Sequence, residues 1–172
     1  MDFFEVVKMR HSYRKAFKDV AIPKEEVEMI LDAGLRAPTG GNQQGTSFVV
    51  VDDKVLIAEL NKIFPHKGIA SAPIVVVVLT SSIEAYPGKC FEVEDYAAAV
   101  ENIMLAAFAL GYASVWTDGE TRDENRAKAV ADLLNVPGDL CVRAMLPIGV
   151  PAEEGKQAAR KPFAERVHFN RF

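Results

Sequence analysis

The sequence predicts an α+β sandwich, with one β-sheet covered by helices on both faces. Three observations lead there. Ile74 to Leu79 is an unbroken apolar run with four valines, the pattern of a central strand buried on both sides. Capped helical patterns lie before and after that run. Helices and strands also mix along the chain without the strict βαβ alternation of a doubly wound fold. No internal repeat or linker divides the 172 residues, so 1–172 reads as one domain, large enough to bury a core.

The elements follow in order. Asp2 with Glu5 forms a capping box, and the first helix should end near Met9–Arg10. Pro23 pre-sets a helical φ for the next helix, whose predicted buried face is Val27, Ile30, Leu31, Gly34 and Leu35. Pro38, Gly40 and Gly41 break it into a loop. Ser47 to Val51 is a β-branched strand, and Asp52-Asp53 caps a helix carrying Val55, Leu56, Leu60 and Ile63. Ser81 to Phe91 reads as irregular, turning at Pro87-Gly88. Asp95 to Leu110 is a helix with almost no polar face, which predicts burial nearly all round, by the core and by a second subunit. Gly111 ends it. Ala113 to Trp116 is a short strand. Thr121 to Glu124 reads as a capping box for a helix that stops before Pro137, and Leu140 to Ile148 is a further strand. From Pro151 the chain is polar, with Phe163, Val167, Phe169 and Phe172 as anchors for another surface.

Composition narrows the function classes. The chain is 49% hydrophobic and 26% charged, with a formal net charge of −4. No global basic field invites nucleic acid or an anionic membrane, so any anion site must be a local cluster. No run of 18 apolar residues occurs, and the N-terminus lacks a signal-peptide pattern. Cys90 and Cys141 form no C-x-x-C, and His11, His66 and His168 have no metal-ligand spacing. The expectation is a cytoplasmic protein with reduced thiols and no bound metal. Neither G-x-x-x-x-G-K nor a G-x-G-x-x-G after a strand is present, which speaks against a Rossmann nicotinamide site.

Four segments carry candidate chemistry. In an extended Arg10-His11-Ser12-Tyr13-Arg14, residues two apart face one way, so Arg10, Ser12 and Arg14 would present two guanidinium forks and a hydroxyl to a phosphate. The same residues also suit a solvated basic turn. The loop Pro38-Thr39-Gly40-Gly41-Asn42-Gln43-Gln44 combines glycines that admit a flat ligand with donors and acceptors on Thr39, Asn42 and Gln44; a plain connecting loop is the competing reading. Gly119 and its neighbours follow a short strand, where backbone N–H groups could meet a ring, and Trp116 is either core or ligand-facing. Arg160-Lys161 is a second basic pair, able to close a phosphate site or to stand on a mobile surface.

Together, in this order, these segments resemble the nitroreductase family of FMN-binding proteins in its shorter form. Arg10 to Phe17 is similar to the family's R-x-S-x-R-x-F segment, and Ala37 to Gln44 to its A-P-S-x-x-N-x-Q. Asp95 to Gly111, with Asn102 inside, resembles its long central helix. Leu146 to Pro151 followed by Arg160-Lys161-Pro162 resembles its closing segment. Thr39 stands where the family usually has Ser, Gly45 where Pro is expected, and Thr117-Asp118 where Ile-Gly is more usual.

The resemblance implies a three-layer sandwich with a central mixed β-sheet, a homodimer, and two FMN molecules at its interface. It implies that Arg10, Ser12 and Arg14, with His11 beside them and Arg160 or Lys161 joining, hold the phosphate. Pro38, Thr39, Asn42 and Gln44 would meet the flavin from the other subunit, and Asp118 and Gly119 would lie near the ring. The tail from about 151 to 172 would pack on the partner. The implied activity is NAD(P)H-dependent, ping-pong reduction of nitroaromatics, quinones or related small oxidants. It leaves open a flavin-binding or storage protein, or a related flavoenzyme that oxidises heterocycles, removes halogens or fragments flavin. No side chain is singled out as an acid, base or nucleophile.

Overall fold

The computed structural model describes residues 1–172. The helices are α1 (Phe3–Met9), α2 (Lys24–Leu35), α3 (Lys54–Ile63), α4 (Lys67–Ser71), α5 (Glu92–Ala109) and α6 (Glu124–Leu133). The strands are β1 (Thr46–Val51), β2 (Ile74–Ser81), β3 (Glu84–Tyr86), β4 (Lys89–Cys90), β5 (Ala113–Ser114) and β6 (Leu140–Gly149). The main sheet has the order β1-β2-β6-β5.

β2 explains the three layers. Its side chains alternate across the sheet: Val75, Val77 and Leu79 enter one apolar cluster with α3, α4 and α6. Ile74, Val76 and Val78 enter a second cluster with α2 and α5. A strand buried on both faces needs apolar residues at every position, which is what the valine run supplies.

The pairing departs from expectation. All pairs of named strands in the sheet are antiparallel, so the sheet is not mixed. The parallel contact is one isolated bridge, Ser12 to Ser114. It lies on the edge strand, where the first segment of the chain lies beside β5.

β6 carries two irregularities that shape the functional edge. A bulge shifts the register between Val78 and Leu79, leaving Arg143 extra on β6. Val142 and Ala144 therefore enter opposite clusters although they are two residues apart. Arg143 turns instead to Thr80, donating from Nε to Oγ1 at 3.1 Å, and pairs with Glu92 in the first turn of α5. Pro147 is the second irregularity. Met145 N donates to Thr117 O, so position 147 would face β5 in the same way. Proline has no N–H to give. The β5 ladder is broken there, between Ser114 and Thr117, and Trp116 lies in the gap.

Other expectations are corrected locally. Leu35 is exposed at 61%, because α2 turns Ile30 and Gly34 into the core instead. Asp123, not Thr121, caps α6, accepting from the backbone N–H groups of Asn125 and Arg126. Thr121 donates its hydroxyl to the carbonyls of Asp118 and Arg143. The stretch 81–91 holds the β3–β4 hairpin around Pro87-Gly88, with Gly88 at φ +69°. Within this one chain, α5 puts Ala99, Val100, Ile103, Met104 and Ala107 in the core and leaves Ala97, Ala98, Asn102, Leu105 and Ala106 half-buried. No helix is long and apolar enough to cross a membrane.

His66 gives the fold a pH dependence. Its Nδ1 accepts the Gly68 N–H at 3.1 Å and so caps α4. Burial, and then the nearby Arg14 charge, hold its pKa below the usual 6.5. The folded state therefore favours the neutral ring. The stability this adds is present above pH 6.5 and is lost as pH falls through the lowered folded pKa. Thermal unfolding should show the melting temperature dropping more steeply below pH 6.5 in the wild type than in His66→Asn, whose amide caps without titrating. Parallel curves for the two proteins would contradict this role.

Candidate functional site

Residues 10–14 run beside β5. Tyr13 N donates to Ser114 O at 2.9 Å, which holds the segment extended. Alternation then sorts the side chains. Tyr13 is buried in the core beside Phe17, while Ser12 is half-buried and Arg14 exposed. Arg10 is held differently from Arg14. Its Nη2 pairs with Glu101 of α5 at 2.8 Å, and its Nε is buried without a partner. Arg14 makes one long contact, Nη1 to Ser12 O at 3.4 Å. His11 lies edge-on to Phe108, and its Nε2 is also buried and unpartnered.

The tail returns to this segment. Ala152 N donates to Ala16 O, and Glu153 N donates to the Tyr13 hydroxyl at 3.2 Å. Gln157 donates to Arg10 O at 2.6 Å and accepts from Arg160 Nη2 at 2.7 Å. The structure thus brings Arg160 to Arg10, about 150 positions away in sequence. Lys161 is exposed beside it. Phe163, Val167, Phe169 and Phe172 are exposed on this chain.

The Pro38–Gln44 loop is strongly shaped. Gly41, Asn42 and Gln44 all have positive φ, near +55°. Glycine adopts this readily, and Asn is among the few others that tolerate it. Thr39 Oγ1 accepts from Gln44 N, and the buried Asp95 accepts from Gly40 N at 2.9 Å. Asp95 thereby ties the loop to α5. Thr39, Gln44, Thr46 and Asp95 line a cavity of about 170 Å³, in which Thr46 Oγ1 has no partner. Pro38 and Asn42 face solvent.

The third segment occupies the middle of the sheet edge. Thr117 pairs with Met145, and Asp118 holds Arg122 at 2.9 Å. Gly119 has open space where a side chain would stand. Trp116 packs edge-on to Tyr96 at 6.0 Å, with its Nε1 buried and unpartnered. Burial and then the Asp118 charge raise the Tyr96 pKa.

These segments do not meet within one chain. Ser12 sits by Ser114, which is opposite Ile148 and so beside Ile74, the first residue of β2. The loop ends at Gly45, whose carbonyl accepts from Ser81, the last residue of β2. At about 3.3 Å per residue, the length of β2 separates them by roughly 20–25 Å.

Three participants were not legible beforehand. Glu101 left a signal, the single charge between Tyr96 and Ala109 of α5. Asp95 and Gln157 left none, because each acts through contacts across 55 and 147 positions.

Known proteins match this chain along nearly its whole length. The nitroreductase family model matches residues 7–67 and 64–150. A Methanothermobacter thermautotrophicus protein, provisionally named an NADH dehydrogenase/NAD(P)H nitroreductase, is 32% identical over 100% of this chain and 88% of its own. An NADPH-dependent oxidoreductase of Staphylococcus haemolyticus is 27% identical over 97% of this chain and 72% of its own. The solved structure of an FMN-dependent nitroreductase of Clostridium difficile superposes with a TM-score of 0.84, at 30% identity, over 98% of this chain and 99% of that one. The family model thus covers most of the chain, and the chain belongs to the nitroreductase family.

Proposed function

We propose that the protein is an FMN-dependent NAD(P)H oxidoreductase that reduces small oxidants such as nitroaromatics or quinones. One observation carries the reading. The Arg10–Arg14 segment holds a buried guanidinium N–H, Arg10 Nε, without an acceptor and the exposed guanidinium of Arg14, and the tail folds back to add Arg160 beside them. Such a donor set fits a phosphate dianion, which guanidinium groups grip through charge-assisted bonds.

The 20–25 Å gap supports a site shared between two copies of the chain. An FMN anchored at Arg10–Arg14 is too short to reach Thr39 and Asn42 of the same chain. Asp118 and Gly119, midway along the edge, stand where the ring would extend. Pro38, Thr39, Asn42 and Gln44 would then come from the partner. The exposed Phe3, beside Leu105 and Ala106 on the half-buried face of α5, supplies apolar surface for a homodimer. The aromatic tail residues add more.

When bound, FMN supplies the two-electron chemistry between the nicotinamide and the oxidant. The chain's residues bind and orient. Arg10, Ser12, Arg14 and Arg160 would fix the phosphate, and the open space at Gly119 admits a flat ring. Arg122 pairs with the neighbouring Asp118 carboxylate at 2.9 Å. One face used by donor and oxidant in turn predicts ping-pong kinetics, read as parallel double-reciprocal lines.

Purified protein incubated with FMN and desalted should stay yellow, and anaerobic NADH or NADPH should bleach it. A colourless product overturns the flavin reading. Colour without bleaching identifies a flavin-binding protein without turnover.

A further inference from the structure

Beyond Pro151 every residue is exposed except Gln157. An extended surface tail half-buries an amide only where both ends of that amide find partners. Gln157 does this: its Nε2 donates to the Arg10 carbonyl at 2.6 Å, and its Oε1 accepts from Arg160 Nη2 at 2.7 Å. Glu153 also meets the first segment, by its N–H to the Tyr13 hydroxyl and by an ion pair with Lys15 whose two groups are 67% and 51% exposed. Solvent screens such a pair, so it holds the tail weakly.

The approach of the tail is tight where it passes His11. A Cβ at Gly155 would lie 2.0 Å from His11 Nε2, so only glycine lets the chain lie this close. Two residues later Gln157 makes its paired bonds, and three residues after that Arg160 arrives.

We infer that Gln157 is a positioning residue for the cofactor phosphate, pinning the Arg160 guanidinium against the Arg10–Arg14 segment. The inference rests on reading that segment as the phosphate site. An arginine on a loose tail loses rotamer freedom when it grips an anion. Gln157 removes that freedom before the ligand arrives, so less is lost on binding. Only an amide suits the position. Glutamate would set a carboxylate against the Arg10 carbonyl, and asparagine is one methylene too short.

The test compares FMN with riboflavin, which lacks the phosphate, by fluorescence titration of the full-length apoprotein. Wild type, Gln157→Met, Arg160→Ala and the double variant are measured, with the melting temperature of each apoprotein as a folding control. Gln157→Met keeps the side chain's length and loses both bonds. It should weaken FMN roughly three- to tenfold and leave riboflavin unchanged. If Gln157 acts through Arg160, the double variant should bind FMN no more weakly than Arg160→Ala alone. Additive losses, equal losses for riboflavin, or unchanged FMN affinity in Gln157→Met would overturn the inference while the phosphate site stands. Wild type that prefers FMN no more than riboflavin would overturn the site itself, and the inference with it.

Discussion

Replacing Arg14 with alanine should weaken FMN binding at least tenfold. A charge-assisted hydrogen bond contributes about 1.5–3 kcal/mol, which is roughly one to two orders of magnitude in affinity. Arg14 is the clean place to measure it. It is exposed, and its one recorded hydrogen bond is the 3.4 Å contact to Ser12 O, so its removal takes little from the fold. Arg10 is a poorer probe, because losing it leaves Glu101 without its 2.8 Å partner on α5. The Arg10→Ala/Arg14→Ala pair should lose more than either alone, mixing ligand and structural effects. Flavin fluorescence titration reads the affinity, and unchanged binding in Arg14→Ala would place the phosphate elsewhere. The same variant removes a positive charge that lowers the His66 pKa. His66 should therefore titrate closer to 6.5 in Arg14→Ala, which NMR can follow independently of any flavin.

The largest stability effect should come from Leu146→Ala. Leu146 is fully buried on β6, opposite Val76 of β2, and lies in the cluster beneath α5 with Ile103 and Met104. Truncating a buried leucine removes its transfer free energy and leaves a cavity that neighbours close only in part, at a cost of about 2–5 kcal/mol. The central strands leave little room to collapse, because β6 is hydrogen-bonded on both sides. For a chain of this size the melting temperature should fall by roughly 5–15 °C. A drop of a degree or two would mean that α5 moves in to fill the space. Pro147 is next in sequence, so Leu146→Ala also tests whether the break in β5 is held by core packing. If it is, the near-UV signal of Trp116 should change in the variant while the protein is still folded.

Local rules made much of this molecule readable. The valine run of β2, the Asp2 and Asp53 caps, Pro23 before α2 and Gly111 after α5 act through neighbouring backbone, so the sequence alone specifies them. The same holds for the basic segment, the glycine loop and their order along the chain, which carry the family likeness. Strand direction was not readable in this way. The sheet is antiparallel because of how β6 returns across β2, and one bulge at Arg143 reverses which face each later residue of β6 serves. The exposure of Leu35 does not follow from the sequence, because helical periodicity marks a face without saying where the core edge falls.

The candidate site divides in the same way. Sequence supplied the donor types of Arg10, Ser12, Arg14 and Arg160, since charge and spacing are local properties. Tertiary structure alone decided that Glu101 holds Arg10, that Asp95 ties the Gly40 loop, and that Gln157 joins Arg160 to Arg10. It also set the two halves of the site at opposite ends of β2. Hydrogen bonds between residues 55 to 147 positions apart depend on how the layers pack, and no short-range pattern encodes that packing.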